Sequence, residues 1–230
     1  MNKCLKNEKE TLFKNCLLGL PGSKESFTPE QILRALKTYE DIDEQTLKQN
    51  LFSFIAEIAP VAEEVGIKLA IHPDDPPYSI LGLPRIVSSE KDLEEIIAAH
   101  PSSANGLCFC TGSLGVRPDN DLVTMIHRYK DRIHFLHLRN TKRDENGNFY
   151  EADHLQGDTN MVKIVSEVLQ MMQERKISIP MRPDHGHQML DDLSKATYPG
   201  YTAIGRLKGL AELRGLELAL TRVNDSSKVI

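Results

Sequence analysis

The chain contains no tryptophan, only 6% aromatic residues, and four cysteines in 230 positions. Cys4, Cys16, Cys108 and Cys110 are too few for a disulfide framework in a chain of this length. A reduced, cytoplasmic setting is therefore expected. No apolar run approaches the ~18–20 residues that cross a bilayer, so no membrane partner is expected. The N-terminal segment has a few lysines and a short "CLLGL" but lacks the continuous apolar core of a signal peptide. Runs of lysine or arginine are also missing. With 28 basic against 33 acidic residues, a net charge of −5 and a pI near 5.9, the sequence does not have the electrostatic footprint of a nucleic-acid binder. What is present is 40% hydrophobic residues, enough to bury the core of one α/β or barrel domain.

The order of elements narrows the class. "FTPEQILRALKTY" opens with a helix start: Thr28 can cap, Pro29 suits the first position, and Gln31 completes a capping box. A longer helix is predicted from Asp43 to Val65, because Leu47, Leu51, Phe54, Ile55, Ile58, Ala62 and Val65 recur at three- and four-residue spacing. Pro60 is expected to kink it and Gly66 to end it. Four strand–helix units then follow. The predicted strands are "IKLAIHP" (67–73), "GLCFCTG" (106–112), "RIHFLHLR" (132–139) and "ISIPMRP" (177–183). Helices are predicted over 88–100, 119–130, 161–174 and 203–220, with a polar loop after the third strand. Strands that alternate with helices and are almost wholly apolar point to a parallel sheet covered on both faces.

Each predicted strand ends in a metal-ligating side chain: His72, Cys110, His137 and Asp184. Sites in parallel α/β folds, and above all in β/α barrels, are built at the C-terminal strand ends. Two imidazoles, a thiolate and a carboxylate meeting there would satisfy a divalent transition metal, and the thiolate by itself suggests zinc. The two-residue period of a strand puts Arg182 on the face of Asp184 and Arg139 on the face of His137. His134 faces the other way. Cys108 shares the face of Cys110 one layer deeper, where it is expected to act as a small apolar residue. Blander readings exist for several positions. Asp74-Asp75-Pro76-Pro77 reads as turn chemistry, Arg182 as an ion-pair partner, and His187 as a helix cap. His100, His127 and His154 have no strand-end position and read as solvated or locally bonded.

Longer stretches carry a resemblance. "AIHPDDPPYSILGLPRIVSS", "FCTGSLGVRPDNDLV", "HFLHLRNTKR", "EADHLQGDTNMV", "PMRPDHGHQMLDDL" and "PGYTAIGRLKGLAELRGLELAL" resemble the mannonate dehydratase family from about residue 19 almost to the C-terminus. The resemblance implies a xylose-isomerase-like TIM (β/α) barrel that converts D-mannonate to 2-keto-3-deoxy-D-gluconate and water in hexuronate catabolism. It implies Mn²⁺ or Fe²⁺ rather than zinc, held by His72, Cys110, His137 and Asp184. It also implies catalytic roles for Arg182, His185 and Tyr201, with the division of acid and base between His185 and Tyr201 left open.

Complete family members carry a long region ahead of the stretch matching "GLPGS", and that region supplies the first half of the barrel. The expectation is thus a non-matching segment, 1–18, followed by the C-terminal part of the barrel, 19–230, with about four βα units. A closed barrel needs eight. A homo-oligomer or a complementing barrel half is the expected partner, beside the sugar acid. Two other functions are weighed: a barrel fragment that only binds metal or pairs with another subunit, and a sugar isomerase or epimerase on the same barrel type. The cysteine of "FCTGS" and the "RPDHGHQML" block argue against the latter.

Overall fold

A computed structural model describes Glu10, residues 27–198 and residues 200–226. The predicted boundary between residues 18 and 19 lies outside the described residues. Helix α1 (Pro29–Lys37) begins as the sequence predicts, with Thr28 and Gln31 exchanging both capping bonds. Helix α2 (Glu44–Glu64) starts at an Asp43 cap and continues through Pro60. Gly66, at φ 72°, follows its end in the left-handed conformation that a side chain disfavours. Helix α3 (Glu90–Ala99) is opened by a Ser89–Asp92 capping box, an arrangement whose loss costs about 1 kcal/mol.

The central sheet is parallel, in the order β1 (Leu107–Cys110), β2 (Ile133–His137), β5 (Met181–Arg182). All four residues of β1 are buried, as befits a strand covered on both faces. The predicted strand over 67–73 is not regular. It runs beside β1 as an extended segment with a single bridge, Ile71 to Leu107, and bonds from Leu69 N to Ala104 O and from Ile71 N to Gly106 O. The fourth strand is likewise shorter than predicted. Its last position aligns Arg182 with His137, which in turn aligns with Cys110.

Between the strands run α4 (Thr111–Gly115), α5 (Leu122–Tyr129) and α6 (Met161–Arg175), and α7 (Ala203–Ser226) follows β5. The core lies between sheet and helices: Leu107, Phe109, Ile133 and Leu136 meet Ile96, Met125, Ile126, Ile164 and Leu213. Fully burying one such side chain stabilises by about 1.5–3 kcal/mol.

The predicted polar loop after β2 contains a hairpin. Antiparallel β3 (Thr141–Arg143) and β4 (Phe149–Glu151) are joined by a turn in which Asp144 accepts from Asn146 N and Asn148 N. Gly147 takes a positive φ there. The Asn146-Gly147 pair is the short-range signal that marks this hairpin. The strands were missed because each is only three residues long and mostly polar.

Candidate metal centre and active site

Parallel strand ends bring Cys110, His137 and Asp184 together, and His72 meets this group through His137. His72 Nε2 lies 3.0 Å from His137 Nδ1. His137 Nδ1 lies 3.7 Å from Asp184 Oδ2. Cys110, His137 and Asp184 place their ligand atoms within 4.8 Å of one another, and His72, Cys108 and His137 form a second such group. His137 belongs to both. His72 is exposed, whereas Cys110 and Asp184 are buried, so the centre opens on its His72 side.

The two cysteines differ in what surrounds them. Cys110 caps α4, and its sulfur accepts from Ser113 N at 3.4 Å and from Ser113 Oγ at 3.2 Å. Burial, reinforced by the negative charge of Cys110 and Asp184, pushes the Cys108 thiol up to about 12. Cys108 therefore keeps its proton at neutral pH, in line with its reading as an apolar filler.

Asp184 sits two residues beyond β5 with φ 67°, a left-handed conformation uncommon for a non-glycine residue and concentrated at functional sites. Burial opposes its charge. His185, His137 and Arg139 outweigh burial and hold the carboxyl well below the usual range. Two imidazoles, a thiolate with its own donors and a carboxylate kept ionised form a donor set that fits a divalent transition metal.

Arg182, His185 and Tyr201 stand beside this cluster. His185 Nδ1 is 3.2 Å from Asp184 Oδ2 and 4.0 Å from Glu151 Oε1. Its ring packs on Tyr201 with centroids 4.5 Å apart. A bond from Gly186 N to Gly200 O joins the two segments that carry them. Gly200, at φ 77°, leaves no room for a side chain, since a Cβ there would sit 2.9 Å from the His185 ring. Burial and the charge of Asp184 raise the Tyr201 phenol above its ordinary value. Arg182 is half exposed, and its Nη2 reaches Asp184 Oδ1 at 3.4 Å.

Comparison with known proteins places the chain in a family. Residues 2–227 match the model of the D-mannonate dehydratase (UxuA) family. The chain belongs to the D-mannonate dehydratase family. It is 53% identical over 219 residues to a mannonate dehydratase of Marinomonas sp. (strain MWYL1), covering 93% of this chain and 56% of that one. Among solved structures it resembles mannonate dehydratase from Streptococcus suis serotype 2, at 34% identity and a TM-score of 0.77, over 88% of this chain and 57% of that one. A xylose isomerase-like TIM barrel protein from Mycobacterium smegmatis, solved in complex with magnesium, shares the fold at 18% identity and a TM-score of 0.52, over 78% of this chain and 53% of that one. The chain thus spans a little over half the length of the relatives it matches, and its sheet is part of a β/α barrel.

Within this family member, several residues near the centre were undervalued from sequence. Asp74 does serve turn chemistry, accepting from Ile86 N and Val87 N. Asp75 does not stop there; it meets the guanidinium of Arg139. Arg139 also donates to the Glu151 carboxylate from Nε and Nη2. His154 is not solvated. It is buried, with Nε2 2.7 Å from the Pro183 carbonyl, directly before Asp184. The remaining histidines follow the bland reading: His100 accepts from Ser102 N, His127 pairs with Glu167, and His134 bonds the Ser103 carbonyl away from the centre. His187 is exposed and caps no helix by its side chain in the described structure; its backbone carbonyl accepts from Thr202.

Proposed function

We propose that the protein to which this chain belongs dehydrates D-mannonate to 2-keto-3-deoxy-D-gluconate and water, and that this chain contributes the metal centre and the acid–base pair. The observation that carries this reading is the grouping of Cys110, His137 and Asp184 at neighbouring strand ends, with His72 against His137 and with the His185 and Tyr201 rings packed together beside them, in a chain of this family. His72, Cys110, His137 and Asp184 would hold Mn²⁺ or Fe²⁺. Such an ion, when bound, supplies a Lewis acid that offsets negative charge on the substrate's carboxylate side.

The chain's own residues account for the proton movements. His185 is assigned as the base that takes the C2 proton, since its Nδ1 faces the Asp184 carboxylate at 3.2 Å, an arrangement that orients an imidazole for proton transfer at its other nitrogen. Tyr201 is assigned as the acid that protonates the departing C3 hydroxyl, because its ring packs on His185 with centroids 4.5 Å apart and its phenol is the neighbouring proton donor. Loss of the C2 proton and the C3 hydroxyl leaves an enol, which becomes the 2-keto acid by proton transfer to C3. Arg182, with a buried Nε that has no hydrogen-bond partner among the described residues, offers a cationic donor to charge on the carboxylate.

We further propose that the chain is covered by a second barrel half, either another copy or a complementing chain. In support, α2 presents Phe54, Ile58, Val61 and Val65 as an outer apolar stripe, wider than a helix face normally leaves to water. A reducing, cytoplasmic setting is proposed on the free thiols of Cys108 and Cys110.

The test is turnover of D-mannonate by the chain with Mn²⁺ or Fe²⁺ under reducing conditions, alone and with a relative's N-terminal half supplied in trans. Keto-acid product that is lost on His137→Ala or Asp184→Asn is the expected result, while product that survives both changes overturns the reading. Exchange of the C2 proton with solvent separates the acid from the base. Tyr201→Phe is expected to exchange without eliminating, and His185→Asn to do neither.

A further inference from the structure

Arg139 has a place in the site that neither ligand binding nor acid–base chemistry uses. It lies two residues beyond His137 and is 4% exposed. Its stem lies flat on the backbone after Cys110, where a Cβ on Gly112 would fall 2.3 Å from the arginine Cδ. Thr111 Oγ1 donates to the Arg139 carbonyl at 2.6 Å and to the His137 carbonyl at 3.2 Å. From this seat one face of the guanidinium grips Glu151 through Nε and Nη2, and Nη1 reaches Asp75.

Each contact falls on a segment that bears a functional side chain. Asp75 is three residues from His72, beyond the Ile71–Leu107 bridge and the backbone bonds that tie this segment alongside β1. Glu151 stands 4.0 Å from His185 Nδ1. Gly112 and Thr111 directly follow Cys110. A planar, always charged fork is the one side chain able to hold two carboxylates in fixed directions at once.

We propose that Arg139 is a positioning residue: through Asp75 it fixes the loop that carries His72, and through Glu151 it fixes the wall opposite His185. The two arms are separable. The Asp75 arm governs metal geometry, and the Glu151 arm governs the surroundings of the base. The part concerning metal rests on the proposed function, whereas the part concerning the loop does not.

The full chain supplies two readouts. In the metal-free protein, NMR hydrogen exchange follows the Asp74 amide, which bonds to the Val87 carbonyl. Co²⁺ alone, titrated as a spectroscopic probe, reports affinity and the thiolate-to-cobalt absorption from Cys110. Asp75→Asn is expected to speed exchange at Asp74 about tenfold, to weaken Co²⁺ binding by about 10–100-fold, the usual effect of losing an outer partner of a ligand, and to shift the cobalt bands. Glu151→Gln is expected to leave Asp74 exchange and Co²⁺ affinity within about twofold of the parent, a split that a general loss of stability would not produce. Arg139→Lys, which cannot hold both carboxylates, is expected to behave as Asp75→Asn does. Unchanged exchange and unchanged cobalt spectra in Asp75→Asn would overturn the proposal, as would equal effects of Asp75→Asn and Glu151→Gln on both readouts. A parent chain that takes up no Co²⁺, while Asp74 still responds to Asp75→Asn, would count against the metal reading and leave the clamp standing.

Discussion

Cys108 and Cys110 lie two residues apart on one face of one strand, yet their surroundings assign them opposite chemistry. Cys110 has two donors from Ser113 directed at its sulfur. Cys108 has burial alone, and no hydrogen-bond donor to its sulfur is present among the described residues. A thiolate that is already solvated by protein donors loses little on binding a cation, whereas an unsolvated one must first give up its proton in an apolar site. Cys110→Ala is therefore expected to weaken Mn²⁺ binding at least about 100-fold, while Cys108→Ala stays within about threefold. Titration followed by the Mn²⁺ electron paramagnetic resonance signal distinguishes them. Equal losses would show that Cys108 ligates, as its distance to His72 and His137 allows.

At the scale of elements, what joins α2 to α3 is ionic as well as apolar. Lys48 on α2 bonds Asp92 at 2.7 Å and Glu95 at 3.0 Å on α3. Asp92 also accepts from Ser88 and Ser89 as part of the helix cap. Burial opposes the Asp92 charge, but Lys48 and the serine donors overcome it and lower the carboxyl below its ordinary value. A depressed folded value means that the stabilisation is complete above the unfolded value, near 3.9, and is lost as pH falls through the folded one. Asp92→Asn is thus expected to cost about 2 kcal/mol at pH 7, or roughly 4–8 °C in Tm, and to cost progressively less below about pH 4. Calorimetric melts at several pH values check this. A penalty that persists unchanged at pH 3 would show that shape rather than charge matters at this position. The hairpin β3–β4 shows the same interplay of local signal and tertiary role: its turn is encoded by Asn146-Gly147, and its purpose, delivering Glu151 to Arg139, is not.

At the scale of the whole molecule, the outer stripe of α2 and the narrow sheet belong together. Phe54 and Val61 are each 58% exposed and Val65 61%, while Ile55, Ala59 and Ala62 on the adjoining side are buried. A helix that is apolar on two faces is a helix between two layers. At micromolar concentration the chain is expected to scatter light as a species larger than its 25.9 kDa, and Phe54→Glu combined with Val61→Glu is expected to bring the mass down to that value. A parent chain that scatters as a monomer and melts in one cooperative transition would remove the case for a covering partner.

Sequence by itself determined the helices, their caps and the presence of a ligand-type side chain at each strand end. Capping boxes, three- and four-residue periodicity and apolar strand runs are local properties, and parallel strands place their C-terminal ends on one side. The left-handed backbone of Asp184, the reach of Arg139 to Asp75 and Glu151, and the burial of His154 against Pro183 were decided by tertiary structure alone. Each depends on which segments, 12 to 64 residues apart in the chain for the side-chain contacts, the sheet order and the helix layer press together. A side chain's type is written in the sequence, but the field and the partners that give it a task exist only once distant segments share one buried space.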